Sequence, residues 1–211
     1  MKPPASTTIL GIETSCDETA AAVLDGEGHV LANVISSQQT VHERFGGVVP
    51  ELASRAHIQN VDHVTRQALD AAGLTWQDLG AIAVTQGPGL AGALLVGISY
   101  AKSLAYALGI PLVGVSHLEG HIASAWIDRP SFPRTCVVLI ASGGHTHLFH
   151  ATEHGGFHLM GRTIDDAAGE AFDKGAQMLG LGYPGGPLID AAERKGSPAA
   201  VRFPRSRVRT G

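Results

Sequence analysis

Twice along this chain an apolar run stops at a polar turn, resumes, turns into a third run and then gives way to a helical segment. The first instance is Thr8–Glu13, the turn Thr14-Ser15-Cys16-Asp17-Glu18, then Thr19–Leu24, an Asp25-Gly26-Glu27-Gly28 hairpin and His29–Ile35. The second is Cys136–Ala141, the turn Ser142-Gly143-Gly144, then His145–Ala151, Gly155-Gly156, Phe157–Thr163 and a helix over Ala167–Leu179. Short strands joined by such turns read as antiparallel meanders. A structural repeat of this length constrains the fold more than any single motif does. Two such halves facing each other would leave a cleft between their first turns.

Between the repeats the pattern changes. Pro50 and Glu51 open a long helix with proline and acid in the first turn. Leu52, Ala56, Val61, Val64, Ala68 and Leu69 give it an apolar stripe, and Gly73 stops it. Ala81–Thr85 reads as a buried strand, Gly92–Leu108 as a buried helix ending at Gly109, and Pro111–Val115 as the next strand. Strands alternating with helices predict a parallel extension of the opening meander. Arg129-Pro130-Ser131-Phe132-Pro133 is the linker candidate, dividing residues 1–130 from 131–211. A second helix is expected from about Gly186, and the basic stretch from about residue 200 is expected to be a disordered tail.

With 211 residues, 44% of them hydrophobic, the chain can bury a substantial core. A net charge of −4 speaks against a globally basic nucleic-acid binder but leaves room for a local patch. Two distant cysteines, Cys16 and Cys136, outline no disulfide framework and fit a reducing cytoplasm. The first eight residues lack the apolar core of a signal peptide, and Ala91–Leu108, with Lys102 and two serines, is short for a membrane span, so no membrane association is expected.

The chemistry gathers at three places. His117 and His121 project from a helix about 40° apart, so both can reach one ion. Glu119 lies roughly 200° around from His117, unlike the acid of the H-E-x-x-H proteases, and makes a poor base for a bound water. Two histidines leave an ion under-coordinated, so a further ligand must come from elsewhere. Glu13, Asp17 and Glu18 cluster at the first turn, where acids can hold a cation, position water or bond a ribose; Asp17 and Glu18 are the candidate catalytic residues. In Ser142-Gly143-Gly144-His145-Thr146 the glycines let backbone N–H groups approach an anion, and His145 can contact ligand or metal. The remaining histidines read as structural or solvated. Asp166, Glu170 and Asp173 fall near one helical face, which is costly unless they are solvated or bound, and Tyr183-Pro184-Gly185-Gly186-Pro187 reads equally as a nucleoside-facing loop or a plain turn.

Seven motifs in order resemble one family: 11–19 (GIETSCDET), 46–55 (GGVVPELASR), 87–90 (GPGL), 117–121 (HLEGH), 142–146 (SGGHT), 165–174 (DDAAGEAFDK) and 183–187 (YPGGP). The family is that of tRNA N6-adenosine threonylcarbamoyltransferase (TsaD type). The resemblance implies an actin-like ATPase (RNase H-like) α/β fold, with the first domain complete and the second partial. It implies transfer of the threonylcarbamoyl group from threonylcarbamoyl-AMP to N6 of the adenosine 3′ of the anticodon in tRNAs reading ANN codons. It implies one divalent metal on His117 and His121, Fe(II) or alternatively Zn(II). Adenylate contacts are implied at Ile140, Ala141, Ser142, Gly143, Gly144, Asp173, Gly186 and Asp190. Partners implied are tRNA, a paralogous scaffold subunit and a small ATPase subunit. Members of the family continue beyond residue 211 with an aspartate as third metal ligand, so this chain is expected to be a truncation, inactive alone. The alternatives are a metal-dependent glycoprotein endopeptidase and a non-catalytic, paralogue-like scaffold.

Overall fold

A computed structural model describes residues 7–202 apart from 128, 130, 154 and 198. Five strands form the first sheet: β1 (Thr8–Glu13), β2 (Glu18–Leu24), β3 (Val30–Ser37), β4 (Leu79–Gly87) and β5 (Leu112–Ser116). Their order is β3-β2-β1-β4-β5. β1 pairs antiparallel with β2 and parallel with β4, and β4 pairs parallel with β5. The meander therefore extends in parallel as the alternation of strands and helices predicts, and β1 becomes the central strand.

The connecting helices are α1 (Gln39–His42), α2 (Pro50–Ala72), α3 (Ala91–Leu108) and α4 (His117–Ala123). Local signals set their limits. Pro50 occupies the first turn of α2, where its missing N–H costs nothing, and Gly73 closes it at φ 68°. Gly109, at φ 67°, closes α3 in the same way. Both helices pack on the sheet, α2 over β2 and β3 and α3 over β4, and against each other. Leu10, Val23, Val64 and Ile82 are fully or almost fully buried between these layers. Burial of one such side chain is worth about 1.5–3 kcal/mol.

Two expectations change here. The buried face of α2 runs through Ala53, His57, Val61, Val64, Thr65, Ala68 and Leu69, one position away from Leu52 and Ala56 at its start. Counting apolar residues alone missed this, because two polar residues on the face are satisfied inside. α3 is not wholly buried: Ala93, Gly97, Ala101 and Ala105 face the core, while Leu95 and Tyr106 are exposed. By length and composition alone Ala91–Leu108 could cross a membrane; here its small-residue face lies on the sheet. α1, one turn long and without a side-chain N-cap, has no signal in the sequence pattern.

The second sheet has the order β6-β7-β8, from β6 (Cys136–Ala141), β7 (Thr146–Ala151) and β8 (Phe157–Arg162). Both pairings are antiparallel, repeating the opening meander. Val137 and Leu139 are exposed while Ile140 is buried, so β6 alternates as a strand with one covered face. Two further helices follow, α5 (Ala168–Met178) and α6 (Gly185–Glu193), packed on each other. The linker candidate is described only in part, since residue 130 lies outside the described residues, as does the basic tail from residue 203.

Candidate functional site

The two first turns of the repeat are built alike. In the first sheet, the chain leaving β4 folds back so that the N–H of Leu90 donates to the carbonyl of Ser15 at 2.8 Å. In the second, the first turn of α5 folds back so that the N–H of Gly169 donates to the carbonyl of Ser142 at 3.0 Å. Both approaches need glycine. A Cβ on Gly89 would come within 2.6 Å of the Ser15 carbonyl oxygen, and one on Gly169 within 2.6 Å of that of Ser142. Each turn is thus clamped by backbone from a segment that begins a helix, α3 for the first and α5 for the second.

His117 and His121 stand where these turns meet. α4 follows directly from β5, with the Ser116 side chain accepting from Glu119 N–H as N-cap. The Nε2 atoms of His117 and His121 lie 3.1 Å apart. A cation bound at about 2.0–2.1 Å from each, at a near-tetrahedral angle, sets two such nitrogens roughly 3.3 Å apart, so the pair fits a shared ion. The other ring nitrogen of His117 completes the argument. Its Nδ1 lies 3.1 Å from Glu13 Oε2 and 3.1 Å from Ser15 Oγ. An N–H there donates to the carboxylate and leaves the Nε2 lone pair free for metal, the carboxylate–histidine–metal arrangement. In the sequence Glu13 is only one of three acids at the first turn. Its role could not be seen without the pairing of β1 with β4 and of β4 with β5, which brings it to His117.

Electrostatics agree with the geometry. Burial pushes the Glu13 carboxyl up, but hydrogen bonds from His117, Ser15 and Thr85 outweigh it and hold the carboxyl at about 2. It is therefore a fixed anion at neutral pH. Burial, with the neighbouring His117, pushes His121 below the usual histidine range, which favours the neutral ligand form. Local desolvation and the Asp17 carboxylate push the Cys16 thiol up to about 12, so Cys16 is no nucleophile at neutral pH. Glu119 is exposed, with its backbone turned to Ser116.

The other candidates divide. Asp17 is half-buried and its carbonyl accepts from Gln38 N–H at 3.0 Å; Glu18 is exposed at the start of β2. Neither touches the histidine pair. Beneath this turn lies a buried polar network that no local sequence pattern signals. His57 Nε2 donates to the Cys16 carbonyl at 3.0 Å, and Thr19 Oγ1 donates to His57 Nδ1 at 2.8 Å. Across the cleft, Tyr183 comes near enough to Asp17 and Asp173 that these carboxylates add to burial in pushing its phenol up.

In the second sheet, Ile140 is buried, Ala141, Gly143 and Gly144 are exposed, and Ser142 is half-buried. The turn closes on itself: Ser142 N–H donates to the His145 carbonyl at 2.8 Å and His145 N–H to Ser142 Oγ at 3.1 Å. Thr146 Oγ1 accepts from Ala168 N–H at 2.8 Å, tying the N-terminus of α5 to this turn. Asp173 accepts from Gly185 N–H at 2.7 Å and so fixes the Tyr183–Pro187 loop on α5. The expected crowding of acids is relieved by Lys174, whose ammonium lies 2.8 Å from Asp166 and 3.0 Å from Glu170. Gly186 has open space beside its Cα, and Asp190 is exposed and paired with Arg194 at 2.8 Å. Among the described residues, no three His, Cys, Asp or Glu side chains converge closely enough to hold an ion as they stand.

Comparison with known proteins gives this geometry its context. The chain is 56% identical over 198 residues to the tRNA N6-adenosine threonylcarbamoyltransferase of Clostridium perfringens, an alignment covering 94% of this chain and 58% of that protein. It is 58% identical over 198 residues to the protein of the same name from Trichlorobacter lovleyi, covering 93% and 57%. The chain thus spans a little over half the length of these relatives. Among solved structures, YeaZ from Pseudomonas aeruginosa superimposes with a TM-score of 0.51 at 25% identity, covering 74% of this chain and 65% of that one. EutJ from Carboxydothermus hydrogenoformans superimposes at 0.52 with 17% identity, covering 92% and 65%. The fold is the actin-like ATPase fold, with a partial second domain. The family model described as "TsaD: tRNA N6-adenosine threonylcarbamoyltransferase" matches residues 29–210, and with the relatives above it establishes that the chain belongs to the tRNA N6-adenosine threonylcarbamoyltransferase family.

Proposed function

We propose that this chain supplies the cleft of an enzyme that moves the threonylcarbamoyl group of threonylcarbamoyl-AMP to N6 of the adenosine 3′ of the anticodon in tRNAs reading ANN codons. The observation that carries the reading is the meeting of the His117–His121 pair with both clamped turns, Ser15 on one side and His145 on the other. The N–H groups of Gly143 and Gly144, which make no hydrogen bond within the turn, are available to the adenylate phosphate, with the dipole of α5 beside them. Asp173 keeps the Tyr183–Pro187 loop in place along the nucleoside.

His117 and His121 would hold a divalent cation, Fe(II) or Zn(II), which when bound supplies Lewis-acid polarisation and an anchor for substrate oxygens. The remaining work belongs to the chain's own residues. Glu13 keeps the His117 ring oriented, and the two turns hold the mixed anhydride in position, which lowers the entropic barrier to attack. In the transfer N6 bonds to the carbamoyl carbon, the carbon–oxygen bond to phosphate breaks, AMP leaves with the electron pair and N6 gives up a proton. Asp17 and Glu18, on the first turn, are the carboxylates assigned to take it.

The partners belong to the same reading: tRNA, a paralogous scaffold subunit and a small ATPase subunit, in the cytoplasm. The likeness to YeaZ supports a scaffold of the same fold. The surface open to it is the apolar groove between α2 and α3, where Ile58 is 66% and Leu95 64% exposed.

Calorimetry with a non-hydrolysable threonylcarbamoyl-adenylate analogue tests the reading. Saturable binding that weakens in Asp173→Ala is the expected result, together with N6-threonylcarbamoyladenosine in tRNA when the full-length protein and its partners are supplied. No binding of the analogue to the chain, or full tRNA modification by a His117→Ala/His121→Ala full-length variant, would overturn it.

A further inference from the structure

Three successive carbonyls of the first turn each take a donor from a different part of the chain. Ser15 accepts from Leu90 N–H at 2.8 Å, just before α3. Cys16 accepts from His57 Nε2 on α2 at 3.0 Å, and Asp17 from Gln38 N–H at 3.0 Å, just before α1. The peptides on both sides of Asp17 are thereby held from outside the turn. Two of the three donors are backbone; only His57 contributes a side chain.

His57 does not act alone. A row of hydrogen bonds runs from the N-cap of α2 back to the turn. Val49 N–H donates to His42 Nδ1 at 3.2 Å, His42 Nε2 to Gln38 Oε1 at 3.2 Å, Gln38 Nε2 to His57 Nδ1 at 3.3 Å, and His57 Nε2 to the Cys16 carbonyl. Both ends are backbone groups with one role each, an N–H that can only donate and a carbonyl that can only accept. Every bond between them therefore points the same way, and each imidazole is neutral with its proton on Nε2. Thr19 Oγ1 adds a second donor to His57 Nδ1 at 2.8 Å. Burial holds His57 below the usual histidine range, in agreement with that neutral form. Bonds aligned head to tail polarise one another, which strengthens the last of them.

His42 and His57 are fully buried, and Gln38 nearly so. Burying polar side chains is costly unless each is bonded, and apolar side chains would fill the same space without that cost. What they could not supply is a donor to the Cys16 carbonyl. That carbonyl belongs to the peptide whose nitrogen is Asp17's own, so its direction sets how the Asp17 side chain leaves the backbone.

We propose that His57, aligned by Gln38 and His42, is the positioning residue that sets the direction of the Asp17 carboxylate, an inference that rests on the assignment of Asp17 above as a proton acceptor. His57 acts from beneath, through the backbone of the turn.

The test separates turnover from binding in the full-length protein with its partners. His57→Leu, which fills the space without a donor, should lower kcat for tRNA modification about 10–100-fold, while the threonylcarbamoyl-adenylate analogue binds within about twofold of the unaltered protein. His57→Gln, whose amide N–H can stand where Nε2–H stands, should recover most of the loss. Unchanged kcat in His57→Leu, equal loss in the Leu and Gln variants, or analogue binding lost in step with turnover overturns the proposal. Should His57→Leu lose its circular dichroism signal, His57→Asn, whose amide is too short to reach the Cys16 carbonyl, takes its place. The 211-residue chain adds a readout without activity. Its Asp17 amide nitrogen resonance should move in His57→Leu and return toward its original position in His57→Gln; a resonance that stays put in His57→Leu also overturns the proposal. If the unaltered full-length protein modifies no tRNA, the transfer reading falls, and the Asp17 resonance alone decides whether His57 positions the turn.

Discussion

His117 turns its Nδ1 to the carboxylate of Glu13, 3.1 Å away, although 104 residues of chain separate them. β1 carries Glu13 at its end and α4 carries His117 at its start. The sheet order places β4 between β1 and β5, the strand that leads into α4. The contact orients a ring that has its other nitrogen facing His121, so a change at Glu13 would reach a cation bound by the pair through His117.

Glu13→Gln is therefore expected to weaken divalent-metal binding by about 10–100-fold, with little change in the fold. Competition against a chromophoric chelator measures it. Thr85→Val, which removes only a hydroxyl donor to the same carboxylate, should cost less. Equal affinity in Glu13→Gln and the unaltered chain would remove Glu13 from the site.

The clamps on the two turns should be intolerant of a single methyl group. Gly169→Ala forces a Cβ against the Ser142 carbonyl and the Gly143 nitrogen, and Gly89→Ala does the same at Ser15. Both neighbours are backbone and cannot step aside as a side-chain tip would. Each substitution is expected to destabilise by about 1–3 kcal/mol, read from urea unfolding. Gly143→Ala, which meets open space, is the control and should stay near the unaltered value.

Asp173→Ala takes the acceptor from Gly185 N–H. The half-buried amide then lacks a partner, at a cost of about 1–3 kcal/mol, and the Tyr183–Pro187 loop should loosen. Hydrogen exchange at Gly185 is expected to quicken more than at amides inside α5. Uniform exchange along both would show that the contact does not hold the loop.

Acid should weaken the fold through His57. Burial holds this imidazole below its ordinary value in the folded chain. Above the unfolded value, about 6.5, both states are neutral and its contribution to stability is fully present. As pH falls below that value the unfolded chain takes up a proton that the folded chain resists, and stability declines until the folded value is passed. The urea midpoint should drop between pH 7.5 and 5.5. His57→Gln should show a shallower drop, although His121 and His145, also held low, retain their share. A slope as steep as in the unaltered chain would exclude His57.

Much of this molecule can be read locally. α2 begins at Pro50 and ends at Gly73, and α3 ends at Gly109, because proline and glycine act on their own backbone torsions whatever lies around them. The His117–His121 pair was visible for the same reason: four residues on a helix share a face by helical geometry alone. The repeated meander followed from the spacing of turns and the alternation of apolar runs.

The sequence alone determined the strands and the longer helices, the ends of α2 and α3, and which two histidines share a face. Tertiary structure decided which distant side chains meet them: Glu13 and Ser15 on His117, Thr19 and the Cys16 carbonyl on His57, Ser142 on Gly169. It also placed His57 on the buried face of α2, which an apolar-only stripe passes over, and paired Lys174 with the acids Asp166 and Glu170. Torsional preferences and helical period act within a few residues and are legible in a linear sequence. Hydrogen bonds between strands, turns and helices depend on the order in which strands join the sheet, which no local pattern specifies.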